Sequence, residues 1–163
     1  TAYEMVLRDW SSDVCSSDLF DRPYPPAYLR VNNIPYPQNA FIEGADIKLD
    51  WYHRSRSQQT AYIVVDTETN IGPEAGTTYT ARILKASDNS VLASQTGITA
   101  NTYTFSALSQ DADIYVELWS VRDNYESMQK HRYFMQYFRT QRRLTQDNDI
   151  RVTENGTIRI VEG

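Results

Sequence analysis

The sequence is poor in the residues that build disulfides and metal sites. Its only cysteine is Cys15, so no disulfide can form within the chain and no cluster of thiolates can hold zinc. The two histidines, His53 and His131, have no partner at the spacings typical of metal ligands. We therefore expect no cofactor, no metal and no thiol chemistry, and stability has to come from a hydrophobic core.

Two further absences limit the partners of the chain. No apolar run approaches the roughly 20 residues that a membrane-spanning helix needs, so we expect no membrane insertion. The net charge is −5 for the whole sequence and about −2 for residues 20–163, because the first 19 residues carry four acidic groups and one arginine. This balance gives no electrostatic reason to expect nucleic acid as a partner.

The first 19 residues have the composition of an artefact. Residues 8–19 read RDWSSDVCSSDL, which surrounds Cys15 with serines and aspartates. Written back into codons, this stretch resembles the constant part of a sequencing-library adapter, and residues 1–5 fit the same oligonucleotide. A reactive thiol needs basic neighbours that favour the thiolate, whereas Asp13 and Asp18 flank this one. We interpret residues 1–19 as a translated adapter and expect the natural N-terminus to be missing.

The rest of the chain is rich in residues that favour strands. It has 11 of the 12 tyrosines, all 5 phenylalanines and 2 of the 3 tryptophans, in short alternating runs separated by turns rich in glycine, proline, asparagine and aspartate. We predict an all-β sandwich with strands at Ala27–Val31, Asp46–His53, Ala61–Asp66, Thr77–Ala86, Val91–Thr96, Asn101–Leu108, Asp113–Val121 and Met128–Phe138.

Alternation within two of these strands predicts the core. Trp51 lies on the apolar face of its strand. In Asp113–Val121, the residues Ile114, Val116 and Leu118 share one face, and Tyr115, Glu117 and Trp119 share the other. We expect the first face to be buried between two antiparallel sheets.

The order of these strands resembles a fibronectin type III domain. The segments that carry the likeness are DIKLDWY, TYTARILKASDNSVLASQTGITANTYTFSAL and DIYVELWSVRDNYES. The resemblance implies an immunoglobulin-like antiparallel sandwich. Two features depart from that family: Ile114 occupies the place of its corner tyrosine, and Gln58–Gly76 is an insertion.

A second resemblance is to a module near the C-terminus of tail proteins of tailed bacteriophages. It is carried by RPYPPAYLRVNN, WYHRSRSQQTA, IGPEAGTTYTARI and VELWSVRDNYESMQKH. The resemblance implies a virion protein of the tail tip or a tail fibre, with other tail proteins as partners. It identifies no chemical activity.

The last residues form a repeat of eight. Arg143, Arg151 and Arg159 align, and a loop at Glu154–Gly156 is predicted to pair the strands on either side. Because a small meander is marginal on its own, we expect it to dock on the sandwich or to pair with another copy in a homo-oligomer. The predicted domains are therefore an extended lead-in at 20–26, the sandwich at 27–138 and the repeat at 139–163.

The candidate binding residues are aromatic and basic. We predict Tyr115, Trp119, Tyr52 and Arg54, because aromatic side chains offer flat apolar area with a polar tip to sugars and proteins. The competing interpretation is that another part of the chain covers Tyr115 and Trp119. The basic residues at 130–143 are interpreted as a solvated edge that discourages strand addition, and Gly72–Thr78 as a turn without the lysine of a phosphate loop.

The sequence thus predicts a non-enzymatic structural module of a phage virion that acts in tail assembly or in contact with the host surface, with a host-surface glycan as a candidate partner. The alternative is a glycan-binding accessory module of a larger phage or bacterial surface enzyme. A third hypothesis places a hydrolase in the missing N-terminal part, for which no residue of this sequence gives evidence.

Overall fold

The computed structural model describes residues 21–55 and 71–139. The adapter-like leader, the predicted strand Ala61–Asp66 and the repeat at 139–163 apart from its first residue lie outside these ranges. The regular elements of the described ranges are all strands, so the predicted all-β class is confirmed. These residues contain no helix that is long and apolar enough to cross a membrane.

Ten strands make up the described fold, and most of them begin and end close to the predicted positions. They are β1 (Ala27–Val31), β2 (Ile34–Pro35), β3 (Ala40–Glu43), β4 (Ile47–Tyr52), β5 (Thr78–Lys85), β6 (Val91–Ile98), β7 (Thr102–Phe105), β8 (Ala112–Arg122), β9 (Tyr125–Glu126) and β10 (His131–Phe138).

The strands form two sheets. One has four strands in the order β2-β1-β4-β7, and the other has the order β3-β10-β8-β5-β6, with β9 paired to β8. All strand pairs in the described ranges are antiparallel except β3 and β10, which run parallel with Ala40 opposite Met135. The second sheet is therefore mixed, a departure from the purely antiparallel sandwich that the sequence predicted.

The core lies between the two sheets. Trp51, Val116 and Leu118 are 0% exposed and belong to one cluster of buried side chains. That cluster takes Leu29 and Trp51 from the four-stranded sheet and Val116 and Met135 from the other. The predicted core stripe is confirmed, and each large apolar side chain buried in this way contributes about 1.5–3 kcal/mol.

The strand predicted at Val91–Thr96 continues through Gly97 to Ile98 as β6. Tyr79 pairs with Ile98 and Ala81 with Gln95, so two residues of β6 face one of β5. Gly97 has a φ of 68°, which a glycine adopts without the clash that a Cβ would cause. A bulge absorbs the extra residue and keeps the strand paired.

The interpretation of the basic stretch as a sheet edge is wrong for its residues on β10, whereas residues 140–143 lie outside the described ranges. β10 lies inside its sheet, because β8 pairs with it on one side and β3 pairs with it on the other. Its basic residues extend from an interior strand toward neighbouring side chains. The edge position is taken by β3, which was not predicted as a strand.

Candidate functional site

The four predicted binding residues lie on two different surfaces. Tyr115 and Trp119 are on β8, on the outer face of the six-stranded sheet. Tyr52 ends β4 in the other sheet, and Arg54 follows it by two residues. The fold therefore divides the predicted set into two pairs.

Trp119 is covered. Its side chain is 2% exposed, and two cations lie over its indole ring, the Lys130 ammonium at 4.2 Å and the Arg82 guanidinium at 4.8 Å from a ring centroid. Lys130 also forms an ion pair with Glu126 at 2.6 Å, and this hydrogen bond lowers the pKa of the Glu126 carboxyl. A ligand reaches the Trp119 ring only when Lys130 or Arg82 moves away, which is the covered arrangement that the sequence also allowed.

Tyr115 lies in a similar set of contacts. The Arg132 guanidinium is 4.1 Å from its ring centroid, and Phe134 meets the ring edge to face at 5.8 Å. Arg132 also donates a hydrogen bond of 2.8 Å to Glu117, which is 9% exposed. Salt bridges and cation–π contacts thus link side chains of β8 and β10 across this face, an arrangement typical of structural support.

The second surface is a cluster that we call the tyrosine platform, defined as Tyr28, Tyr36, Tyr52 and Arg30. The ring of Tyr28 is 5.7 Å from that of Tyr36 and 5.2 Å from that of Tyr52. The Arg30 guanidinium lies 5.3 Å from the Tyr28 ring and 5.6 Å from the Tyr52 ring. Tyr36 is 40% exposed, so the platform presents aromatic area to solvent beside a cation.

The backbone beneath the platform is strained. Among the described residues, eight that are not glycine have positive φ, and the six outside the platform are all asparagine or aspartate. The other two are Tyr28, with a φ of 48°, and Tyr36, with a φ of 46°. A bulky residue in this region costs on the order of 1–3 kcal/mol, and such strain is concentrated at ligand-binding and active sites.

A small cleft lies at the end of the sandwich near the platform. Its volume is about 290 Å³, and the described residues that line it, which we call the basic cleft, are Pro25, Pro26, Arg54, Gln129, Lys130 and His131. The Arg54 guanidinium lies 5.3 Å from the ring of Tyr24. This lining combines three basic side chains with no carboxylate.

His131 and Tyr133 connect the cleft to the platform. The His131 Nε2 atom and the Pro26 carbonyl oxygen are 2.7 Å apart, so this nitrogen carries a proton and donates to the carbonyl. The His131 ring stacks on Tyr133 at 5.9 Å, and Tyr133 meets Tyr36 edge to face at 6.5 Å. The two sites therefore form one continuous strip of aromatic and basic groups.

His53 has a structural environment. Its Nδ1 atom lies 2.7 Å from the Tyr79 hydroxyl, and burial lowers the pKa of His53 while raising that of Tyr79. The Tyr79 hydroxyl therefore keeps its proton beside a neutral imidazole, and the tautomer of His53 sets which of the two groups donates the hydrogen bond. No group of three metal-ligating side chains occurs in residues 21–55 or 71–139.

Sequence reasoning missed Tyr28, Arg30 and Tyr36. The alternation in Ala27–Val31 carried a usable signal, because Tyr28 and Arg30 alternate with buried Leu29 and Val31 and so share the outward face. Tyr36 offered none, since it enters the cluster from a loop through a positive φ. The turn Gly72–Thr78 holds Glu74, which pairs with Arg122 on β8.

No protein-family model matches the chain, and no curated protein is significantly similar to it.

Proposed function

We propose that this chain is a non-enzymatic structural module of the tail of a tailed bacteriophage, a virion protein that acts in tail assembly or in contact with the host surface. The proposal rests on the ion pairs that three glutamates of the described residues form within the fold. Glu74, Glu117 and Glu126 each pair with a cation of the fold, and the cleft lining has no carboxylate among the described residues. Acidic groups in such pairs stabilise a scaffold and are poorly suited to acid–base catalysis.

The resemblances in the sequence point the same way. The amino-acid sequences of four segments resemble those of phage tail proteins, and the strand order resembles that of a fibronectin type III domain. A sandwich of this kind is a rigid support that presents loops and surface patches from a repeated assembly. Its mechanism is geometric, with the core fixing the positions of the exposed side chains.

Immunogold electron microscopy tests the proposal. Antibodies raised against the purified chain are applied to intact particles of the phage whose genome carries its gene. The expected result is gold at the tail of the particles. Gold that is confined to cell debris, with clean particles, would contradict a virion role.

We further propose that the module works as a homo-oligomer, because tail tips and fibres are symmetric assemblies. Size-exclusion chromatography with light scattering on residues 20–163 and 20–142 tests this expectation and the role of the repeat. The longer chain is expected to give the mass of an oligomer. Equal monomeric masses for both would refute it.

The second candidate function is a glycan-binding accessory module of a larger surface enzyme, and the exposed tyrosine platform favours it. The neighbouring genes separate the two candidates. Tail genes on both sides favour the virion module, whereas a reading frame that continues upstream into a glycoside hydrolase favours the accessory module.

A further inference from the structure

We infer that the tyrosine platform and the basic cleft together bind an acidic oligosaccharide, a chain of sugars that carry carboxylate groups. The inference rests on the proposed function, because contact with a host surface supplies such a glycan. It goes beyond that function by naming the surface and the charge of the ligand.

The platform has the shape and chemistry that sugar rings recognise. Tyr36 is 40% exposed and presents its ring to solvent, and Ile34 beside the platform is 39% exposed. The rings of Tyr28 and Tyr52 lie beneath Arg30 and support Tyr36 from within the cluster. The apolar faces of pyranose rings pack on such flat aromatic groups, while the phenol hydroxyls at the rim can bond to sugar hydroxyls. The strained φ angles of Tyr28 and Tyr36 hold two of these rings in contact before any ligand arrives.

The charge of the strip favours an anion. Arg30 and Arg54 supply its positive charge outside any ion pair of the described residues, because Lys130 is already paired with Glu126. The Nε atom of Arg30 is buried and has no hydrogen-bond partner. Asp50, its cross-strand neighbour, forms an ion pair with Lys48 at 3.1 Å, and no salt bridge in the described ranges involves Arg30 or Arg54.

The basic cleft and the tyrosine platform bind different sugar residues of the ligand. The basic cleft, at about 290 Å³, has room for roughly one sugar residue, and its two prolines and Arg54 form a wall that is continuous with Tyr24. The platform takes the next residues of the chain through stacking, with Arg30 beside them to pair with a carboxylate. Tyr133 and His131 lie between the two parts.

Isothermal titration of the full chain with hexagalacturonate tests the inference, and maltohexaose serves as a neutral ligand of equal length. Hexagalacturonate is expected to bind at least about tenfold more tightly than maltohexaose. A hexamer of glycerol phosphate separates carboxylates from phosphates as the source of negative charge, and tighter binding of this hexamer would overturn the assignment. Absence of hexagalacturonate binding by the folded chain would overturn it as well.

Matched variants locate the site. Tyr36→Asn removes the ring but keeps a residue that tolerates positive φ, and Arg30→Gln removes the charge; each is expected to weaken binding about tenfold. Phe41→Ala removes an aromatic side chain that is 61% exposed outside the platform, and Arg139→Gln removes a distant charge; each is expected to change binding by less than about twofold. An equal loss in the controls would overturn the site, and thermal unfolding confirms that each variant is folded.

The titration tests the glycan inference and the gold labelling tests the virion role, and the outcome of one does not determine the outcome of the other. Titration needs no phage particle, and labelling needs no glycan. Labelled tails without glycan binding would remove only the inference, and glycan binding without labelled tails would remove only the virion role.

Discussion

Trp51 and Tyr79 meet edge to face across the two sheets, with ring centroids 5.3 Å apart. Trp51 belongs to β4 in the four-stranded sheet, and Tyr79 belongs to β5 in the other. Both rings are nearly or fully buried, so this contact joins the two layers of the sandwich within the core.

Loss of the Trp51 ring is expected to weaken the fold strongly. Trp51→Ala should lower the free energy of unfolding by about 3–5 kcal/mol, because it leaves a large cavity between the sheets. Trp51→Phe should cost less, since it keeps an aromatic partner for Tyr79. Urea unfolding followed by circular dichroism measures both, and a Trp51→Ala chain as stable as the original would contradict the packing described above.

Acid is expected to destabilise the protein through His53. Its pKa in the folded chain lies below the ordinary value of 6.5, so the unfolded chain binds more protons between those two values. Stability is therefore full above pH 6.5 and falls as the pH drops from 6.5 to the folded pKa. His53→Gln should remove this component from a comparison of urea unfolding at pH 7.5 and pH 5.5. An unchanged pH dependence in that variant would show that other groups are responsible.

The cover over Trp119 predicts a fluorescence effect. In a Trp10→Phe background, Lys130→Ala should increase quenching by acrylamide, because the ammonium over the indole is removed. Lys85→Ala serves as the control, since Lys85 lies opposite Ile114 on β8, at the other end of the strand pair from Trp119. Equal quenching in both variants would show that Lys130 does not shield Trp119.

Trp119→Ala is a poor probe of ligand binding for the same reason. The ring is 2% exposed, so its loss should cost about 2–4 kcal/mol of stability whether or not a sugar binds. Thermal unfolding of Trp119→Ala and Tyr36→Ala checks this difference. Tyr36→Ala is expected to unfold at the higher temperature of the two, and the opposite order would contradict the assignment of Trp119 to structural support.

The ion pair of Glu74 and Arg122 is expected to contribute more than a surface pair. Their side chains are 9% and 18% exposed, whereas the ion-paired Lys48 is 52% exposed. Arg122→Met should lower stability by about 2–4 kcal/mol, since it removes the guanidinium that faces a buried carboxylate. Lys48→Met should change it by less than about 1 kcal/mol. Chemical unfolding of both variants measures the two losses of stability. Equal losses would contradict a larger contribution from the Glu74–Arg122 ion pair.

Alternation of side chains was sufficient to predict the main strands and the core. β1, β4, β5 and β8 each bury every second residue over at least part of their length, and this pattern is local to the strand. β3 was missed because its pairing with β10 joins residues that are 95 positions apart for Ala40 and Met135. No feature of a strand of only four residues specifies such a distant pairing partner.

The candidate site was predictable only in part, for a related reason. The outward position of Tyr115 and Trp119 follows from alternation, but their cover comes from Arg82 and Arg132 on neighbouring strands and from Lys130 just before β10. Tyr52 was predicted as a binding residue, whereas Tyr28 and Tyr36 were not. Alternation in β1 places Tyr28 on the outward face, but Tyr36 joins the cluster from a loop through a positive φ angle, which no alternation pattern reveals.

Chemical-shift mapping tests most directly the claim that a rigid sandwich presents its ligand surface on the tyrosine platform. A ¹⁵N-labelled full chain is titrated with hexagalacturonate and followed by amide spectra. The predicted result is shifts at Tyr28, Arg30 and Tyr36, with the amide of Tyr115 unchanged. Shifts at Tyr115 without shifts at Tyr28, Arg30 and Tyr36 would contradict the account.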